Sequence, residues 1–229
     1  MDQWQGVWIV IPAYNEEKSI GDVLAELCRL PYKVIVVDDG STDRTSQISL
    51  EYPVVLLRHA VNLGQGAALQ TGLTYALSQP GIKAVVTYDA DGQHDPQDIN
   101  RLIAPVINAE ADVALGTRFS KGAKTVNMPA GKRRVLKLAV AFTRLTTGLA
   151  VSDTHNGLRA FSAGAASQIN ITANRMAHAS EILNQIHKLH LKITEVPVSV
   201  LYTPYSLSKG QSISEAVNIL WDIFAGGLR

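Results

Sequence analysis

The sequence predicts an α/β fold in which a mostly parallel sheet is covered by helices on both faces. Two observations indicate this fold. Short runs of Val, Ile and Leu alternate with longer segments of helical periodicity through the first half of the chain. The short runs are apolar at nearly every position, rather than at every second one, which is typical of parallel strands buried on both faces.

The first half is predicted to contain alternating strands and helices. Each strand is a short run rich in Val, Ile, Leu and Ala, and each predicted helix has apolar residues three or four positions apart. The strands are expected over residues 7–11, 33–37, 54–57, 84–88 and 112–115, and the helices over 19–30, 42–50, 66–77 and 97–108. Asp95 is expected to cap the last of these helices, with Pro96 at its first position.

The second half is less regular. Residues 117–131 contain Gly122, Pro129 and Gly131 and are predicted to form a mobile loop that orders over a bound substrate. Helices are expected over residues 132–149, 178–190 and 212–224, and strands over 158–161 and 193–201. Pro197 interrupts the last strand and favours an edge position, because proline cannot donate a hydrogen bond to a neighbouring strand.

Composition limits the classes of function. The net charge of +1 argues against a general nucleic-acid binder, and the single cysteine, Cys28, excludes an internal disulfide. The N-terminus lacks the pattern of a signal peptide, and no apolar run approaches the ~18 residues of a spanning helix. We therefore expect a cytoplasmic protein, with contact at the cytosolic face of a membrane left open.

Two carboxylates follow the fourth predicted strand. Alternate residues of an extended chain point to opposite faces, so Asp89 and Asp91 can share a face while Ala90 turns away. Paired carboxylates suit Mg²⁺ or Mn²⁺, ions that keep positions open for substrate phosphates. A plain turn is the alternative, since Asp and Gly are common at strand ends.

Polar motifs also follow the other strands of the first half. They comprise residues 12–17, 38–43, 62–66 and 116–118. Ligands of parallel sheets bind beyond the carboxyl ends of the strands. The gathering of these motifs at one edge therefore predicts a binding site there.

Together these motifs resemble those of the family 2 glycosyltransferases. The resemblance is carried mainly by residues 10–17, 36–43 and 89–94, and it extends from residue 9 to about residue 211. It implies a GT-A fold, with one domain over residues 1–229. The nucleotide-sugar-binding half would cover about 1–116, and the acceptor-binding half about 117–229.

Further motifs are similar to those of the polyprenyl-phosphate sugar synthases. They are residues 116–119, 133–134, 152–153, 157–161 and 195–198. This resemblance implies a metal-dependent inverting glycosyltransferase that uses a nucleoside diphosphate sugar, such as GDP-mannose or UDP-glucose. The acceptor would be a polyprenyl phosphate.

The resemblance also implies residue roles. The donor would be bound by Pro12, Tyr14, Glu16 and Lys209, and its base would donate hydrogen bonds to Asp39. The Mg²⁺ or Mn²⁺ ion would be held by Asp89, Asp91 and Gln93. The acceptor phosphate would be held by Arg118 and Arg133. Asp91 would thus act in catalysis together with the two arginines. Two departures concern the acceptor: no Arg precedes Lys209, and Lys137 stands where a small hydroxyl residue is common.

The segment between Asp112 and Asp153 contains no Asp or Glu and carries eight Lys and Arg residues. Its helical part is also apolar, which is typical of a membrane-surface helix, although a solvated basic face is the alternative. Two other functions stay open. One is transfer to a sugar hydroxyl with Glu181 as base, and the other is a nucleotide-sugar-binding subunit that needs a membrane protein partner.

Overall fold

The structure is a computed structural model that describes residues 4–173 and 177–209. The described strands are β1 (Val7–Ala13), β2 (Lys33–Asp38), β3 (Val55–Arg58), β4 (Ala84–Thr87), β5 (Val113–Thr117), β6 (Lys124–Val126), β7 (Arg159–Ser162), β8 (Ile193–Pro197) and β9 (Ser199–Leu201). The described helices are α1 (Ile20–Leu27), α2 (Thr45–Ser49), α3 (Gln65–Leu77), α4 (Asp98–Ile107), α5 (Ala130–Thr147), α6 (Ala163–Ala166), α7 (Ala177–Lys188) and α8 (Pro204–Lys209).

Seven of these strands form one sheet, in the order β3-β2-β1-β4-β7-β5-β8. All neighbouring pairs are parallel except those of β7, which runs antiparallel to β4 and to β5. The predicted mostly parallel sheet is therefore confirmed. The chain first builds the sheet outward from β1 and then returns to add β4 on its other side, so a binding crevice is expected where the ends of β1 and β4 diverge.

Helices cover both faces of the sheet, as predicted, because successive strand residues point to opposite sides. Ile9 and Ile11 lie in one buried cluster with Leu24 of α1. Val10 lies in a second cluster with Leu73 of α3. The two clusters fix the sheet between its helical layers, so the strand ends form a rigid platform for the polar motifs.

The second half departs from the sequence-based expectations in two places. The predicted loop over residues 117–131 contains β6, which pairs in parallel with β9. The strand predicted over residues 193–201 divides into β8 and β9, and Pro197 is the last residue of β8. The edge position of β8 agrees with the prediction from Pro197. A three-residue strand that pairs with a distant segment leaves no periodic signal in the sequence.

Three further expectations concern the C-terminal helix, the division of the domain and the absence of a membrane-spanning helix. The helix predicted over residues 212–224 lies outside the described residues. The division into a donor half and an acceptor half stays a prediction. In the described ranges, no helix combines the length and apolarity needed to cross a bilayer.

Candidate active site

The loops that follow β1 and β2 are tied together by hydrogen bonds. The Asn15 N–H donates to Ser41 Oγ at 2.9 Å, and Asn15 Oδ1 accepts from the Thr42 N–H at 2.9 Å. Asn15 has a positive φ of 55°, a conformation that asparagine tolerates better than most residues. The backbone between Pro12 and Glu16 is thereby fixed at the sheet edge, with Tyr14 43% exposed.

Glu16 connects this loop to the C-terminal part of the described chain. Its Oε2 accepts hydrogen bonds from the Ser19 hydroxyl at 2.8 Å and from the Tyr205 hydroxyl at 2.7 Å. Tyr205 belongs to α8, so this contact brings α8 against the predicted donor-binding loop. Lys209 ends α8, but its side chain lies outside the described part, and its contact with the donor stays a prediction.

Asp38 is a structural strand-end residue. Its buried carboxylate accepts from the Ser41 N–H at 2.8 Å and from the Ser46 hydroxyl. These bonds hold the turn after β2 and leave the neighbouring Asp39 to face the next loop.

Asp39, the residue predicted to contact the base, is almost fully buried. Its Oδ1 accepts from the Leu63 N–H at 2.9 Å, and its Oδ2 accepts from the Gly64 N–H at 2.7 Å. His59 Nδ1 lies 2.7 Å from the same Oδ1, and His59 Nε2 lies 2.9 Å from Thr71 Oγ1. Asp39 therefore organises the loop before α3, and its contact with the base stays a prediction.

The same loop reaches Asp89. Gln65 Nε2 donates to Asp89 Oδ1 at 3.2 Å, and His94 Nε2 lies 3.2 Å from Asp89 Oδ2. Burial acts to raise the pKa of the Asp89 carboxyl, but the hydrogen bond and charge of His94, with the charges of His178 and Arg159, outweigh burial and lower that pKa. Asp89 is therefore held ionised in a fixed orientation.

Asp91 has the opposite electrostatic character. Burial and the charge of Asp89 raise the pKa of the Asp91 carboxyl to about 6, although His94 and the Gln93 N–H act in the other direction. The Gln93 N–H donates to Asp91 Oδ1 at 3.1 Å. The charge of Glu16 also raises the pKa of Asp91, so the predicted donor-binding loop that contains Glu16 lies close to the paired carboxylates.

The backbone of Gly157 packs directly against the carboxylate of Asp89. A Cβ atom at position 157 would lie 2.0 Å from Asp89 Oδ2 and 2.5 Å from Asp89 Cγ, so only glycine leaves room for this carboxylate. The Gly157 carbonyl accepts from the Thr87 hydroxyl at 2.6 Å, which ties the segment to the end of β4. The sequence contained Gly157 in a family motif, but nothing in the motif indicated this contact.

Arg118, the first predicted phosphate ligand, lies in a buried ion pair. Its guanidinium is buried against Asp153, with Nε 2.6 Å from Oδ2 and Nη2 2.6 Å from Oδ1. Arg118 Nη1 also donates to the Tyr202 hydroxyl at 2.9 Å. This geometry makes Arg118 a structural partner of Asp153. A role in holding the acceptor phosphate stays a prediction, and it would fall to the donors that Asp153 and Tyr202 leave over.

Two neighbouring cations of α5 differ in their exposure to solvent. Arg133, the second predicted phosphate ligand, is exposed. Lys132 is half-buried, and its Nζ lies 4.9 Å from the centroid of the Tyr202 ring. The sequence shows Lys132 only as part of a basic segment, because a charge run does not show which side chain turns inward.

Glu181, the candidate general base, supports a neighbouring loop. Its carboxylate accepts from the Thr172 N–H at 3.0 Å, from the Thr172 hydroxyl at 2.5 Å and from the Ala173 N–H at 2.9 Å. These contacts agree with a structural carboxylate on α7 and give no support to a catalytic base.

The chain is similar to proteins of known family. A family model described as Glycosyl transferase family 2 matches residues 8–169. A UDP-N-acetylglucosamine--dolichyl-phosphate N-acetylglucosaminyltransferase of Methanococcus voltae is 36% identical, over 94% of this chain and 93% of that protein. An undecaprenyl-phosphate mannosyltransferase of Micrococcus luteus is 30% identical, over 92% of this chain and 90% of that protein.

A solved structure has the same arrangement of elements. It is glucosyl-3-phosphoglycerate synthase from Mycobacterium tuberculosis, in complex with Mn²⁺, uridine diphosphate and glucosyl-3-phosphoglycerate. Its TM-score is 0.67 at 22% sequence identity, and the match covers 85% of this chain and 70% of the other. At this identity the likeness is evidence about the fold.

Proposed function

Because the chain belongs to glycosyltransferase family 2 and has the GT-A fold, it is a glycosyltransferase, and we propose that it transfers a sugar from a nucleoside diphosphate sugar to a polyprenyl phosphate. The observation that carries this proposal is the charge arrangement at the carboxyl edge of the sheet. The paired carboxylates Asp89 and Asp91 lie near a cation of the predicted acceptor half, since the charge of Asp91 acts on Lys132. The named functions of two relatives at 30% identity or more, both transferases to a polyprenyl or dolichyl phosphate, support the same acceptor class.

The candidate metal ligands of this site suit a divalent cation that is bound together with a diphosphate. Among the described residues, no three His, Cys, Asp or Glu side chains are grouped to hold an ion by themselves. Mg²⁺ commonly takes one or two carboxylates and fills its remaining positions with substrate phosphates and water. We propose that Asp89 and Asp91 supply the carboxylates and Gln93 an amide oxygen. The ion would neutralise charge on the diphosphate. The solved structure of the fold neighbour likewise contains both Mn²⁺ and uridine diphosphate.

The remaining chemistry needs positioning rather than a strong base. A phosphate oxygen of the acceptor is already anionic near neutral pH. It would form a bond to the anomeric carbon as the bond from that carbon to the diphosphate breaks, and the electron pair would leave with the nucleoside diphosphate. Attack opposite the leaving group inverts the anomeric centre. The protein's part is to align the two anions and relieve their repulsion.

The test is transfer of label from UDP-glucose, UDP-N-acetylglucosamine and GDP-mannose into organic-extractable lipid. Undecaprenyl and dolichyl phosphates serve as acceptors, with Mn²⁺ or Mg²⁺ present. We expect metal-dependent label in the lipid phase that is lost in Asp91→Ala. Donor binding without label in either lipid would contradict the proposal and would favour a hydroxyl acceptor or a subunit that needs a membrane partner.

Glu181→Gln separates the lipid-phosphate and hydroxyl acceptors. An amide keeps the size of Glu181 and can still accept the hydrogen bonds from Thr172 and Ala173. Transfer to a polyprenyl phosphate should therefore persist in this variant. Transfer that is independent of lipid and collapses in Glu181→Gln would favour a sugar hydroxyl as acceptor.

We also propose that the outer face of α5, formed by Arg134, Leu138, Ala141 and Leu145, rests on an anionic bilayer. These residues recur at helical spacing, and Leu138 and Leu145 are 62% and 87% exposed. A basic and apolar helix face is attracted to acidic headgroups and buries its leucines at the interface. Such docking would bring the site to a lipid acceptor.

The expected result of Leu138→Asp combined with Leu145→Asp is binding to phosphatidylglycerol vesicles that is weaker by about tenfold or more, because two apolar contacts are lost and two repelled charges are added. Vesicle co-sedimentation measures this. Leu50→Asp is the matched control, because Leu50 is 68% exposed but belongs to the turn after α2. Equal binding by all three proteins would exclude this face as the docking surface.

A further inference from the structure

Lys132 occupies a position between the two charged parts of the site. It lies in the first turn of α5, and its ammonium lies over the ring of Tyr202, 4.9 Å from the centroid. The hydroxyl of the same ring accepts a hydrogen bond from Arg118. Burial and the charge of Arg118 lower the pKa of the Lys132 amine, while the charge of Asp91 acts to raise it. Lys132 is therefore in electrostatic contact with both the acceptor side and the paired carboxylates.

The charges of Arg118 and Lys132 are balanced differently. Arg118 forms a bidentate ion pair with Asp153, whose carboxylate is fully buried. Within the described ranges, no carboxylate forms an ion pair with Lys132. A partly buried ammonium without a counterion is costly unless a ligand supplies the negative charge. The positive charge at this position is therefore available to an anion, whereas that of Arg118 is largely neutralised.

We propose that Lys132 binds the phosphate of the acceptor and that Arg118 acts as a positioning residue, holding the Tyr202 ring on which Lys132 lies. This inference rests on the proposed function and assigns one cation of its acceptor site. An ammonium on a flexible stem suits the task, because its three donors can follow a phosphate oxygen as that oxygen approaches the sugar. The charge of the Lys132 ammonium offsets the repulsion between the acceptor phosphate and the donor diphosphate.

The kinetic test compares Lys132→Met with Lys132→Arg. Loss of the ammonium should raise the acceptor KM about 10- to 100-fold, as expected for a hydrogen bond to a charged group, and leave the donor KM within about twofold. Lys132→Arg should recover part of the affinity, since it keeps the charge. Lys188→Met, an exposed lysine at the end of α7, is the matched control with the same change in charge. An unchanged acceptor KM in Lys132→Met would overturn the proposal.

A binding test needs no turnover. Lysines of the wild-type protein are ¹³C-methylated, and the Lys132 signal is identified by its absence in Lys132→Arg. Farnesyl phosphate should shift this signal, while farnesol should leave it in place. A signal that does not respond to farnesyl phosphate would overturn the assignment. A shift in a protein that transfers no sugar to lipid would keep the phosphate site and reject only the proposed function.

Discussion

Gly157→Ala is expected to reduce sugar transfer by about 100-fold, the loss that a misplacement of about 1 Å can cause at a catalytic centre. The added Cβ would lie 2.0 Å from Asp89 Oδ2, a distance that real contacts do not tolerate. The backbone at Gly157 does not lie in the left-handed region, so alanine itself is compatible with the local conformation. The Thr87 hydroxyl anchors the Gly157 carbonyl, and the carboxylate of Asp89 must therefore move instead.

Measurements of kcat/KM for transfer and of Mn²⁺ affinity in the presence of donor test this expectation. Both should fall in Gly157→Ala, while the thermal unfolding temperature changes little. Gly164→Ala is the matched control, since nothing lies within 4 Å of the Cβ it would add. Activity within about threefold of wild type in Gly157→Ala would show that Asp89 does not need its present position.

Local patterns located Asp89 and Asp91, whereas contacts between distant segments decided what surrounds them. An apolar strand followed by Asp-Ala-Asp predicts two carboxylates just after a strand end, and in the structure β4 ends at Thr87 with Asp89 and Asp91 beyond it. The fit of Gly157 beneath Asp89 arises because antiparallel β7 lies beside β4. No spacing in the sequence encodes that neighbour.

The predicted acceptor half contains contacts that the sequence does not show. The family motif implies that Arg118 binds phosphate, and the planar guanidinium matches phosphate and carboxylate equally well. The sequence could not show that Asp153 lies close enough to Arg118 to form a bidentate ion pair with its guanidinium. Nor could it show that Lys132, rather than its neighbours in the basic segment, turns toward Tyr202.

The same contrast applies to the fold. Continuous apolar runs predicted the strands of the parallel sheet, because each is buried on both faces and carries its own signal. The pairing of β6 with β9 is short and joins distant segments. The sequence therefore predicted only a loop over residues 117–131, where the structure has β6. Burial is thus encoded locally, while pairing partners are not.

Removal of Arg118 should destabilise the protein strongly. Arg118→Ala leaves the fully buried carboxylate of Asp153 without its counterion, and breaking a buried pair in this way typically costs about 3–5 kcal/mol. Urea unfolding measures the change in the free energy of unfolding. Arg101→Ala is the control, since Arg101 also pairs with an aspartate, Asp98, but has a side chain that is 54% exposed. Asp98 is itself buried, but water can replace a guanidinium that is half exposed, so the loss of Arg101 should cost less than the loss of Arg118.

Removal of both charges distinguishes a structural Arg118 from a phosphate ligand. Arg118→Met combined with Asp153→Asn removes both members of the buried ion pair and keeps one acceptor oxygen, which can take the hydrogen bond from the backbone N–H of residue 118. The double variant should therefore regain at least about half of the stability lost in Arg118→Ala. If Arg118 only positions Tyr202 and Lys132, the acceptor KM of the double variant rises less than that of Lys132→Met. A larger rise at restored stability would assign the phosphate contact to Arg118 itself, because the remaining difference could no longer be attributed to a misfolded site.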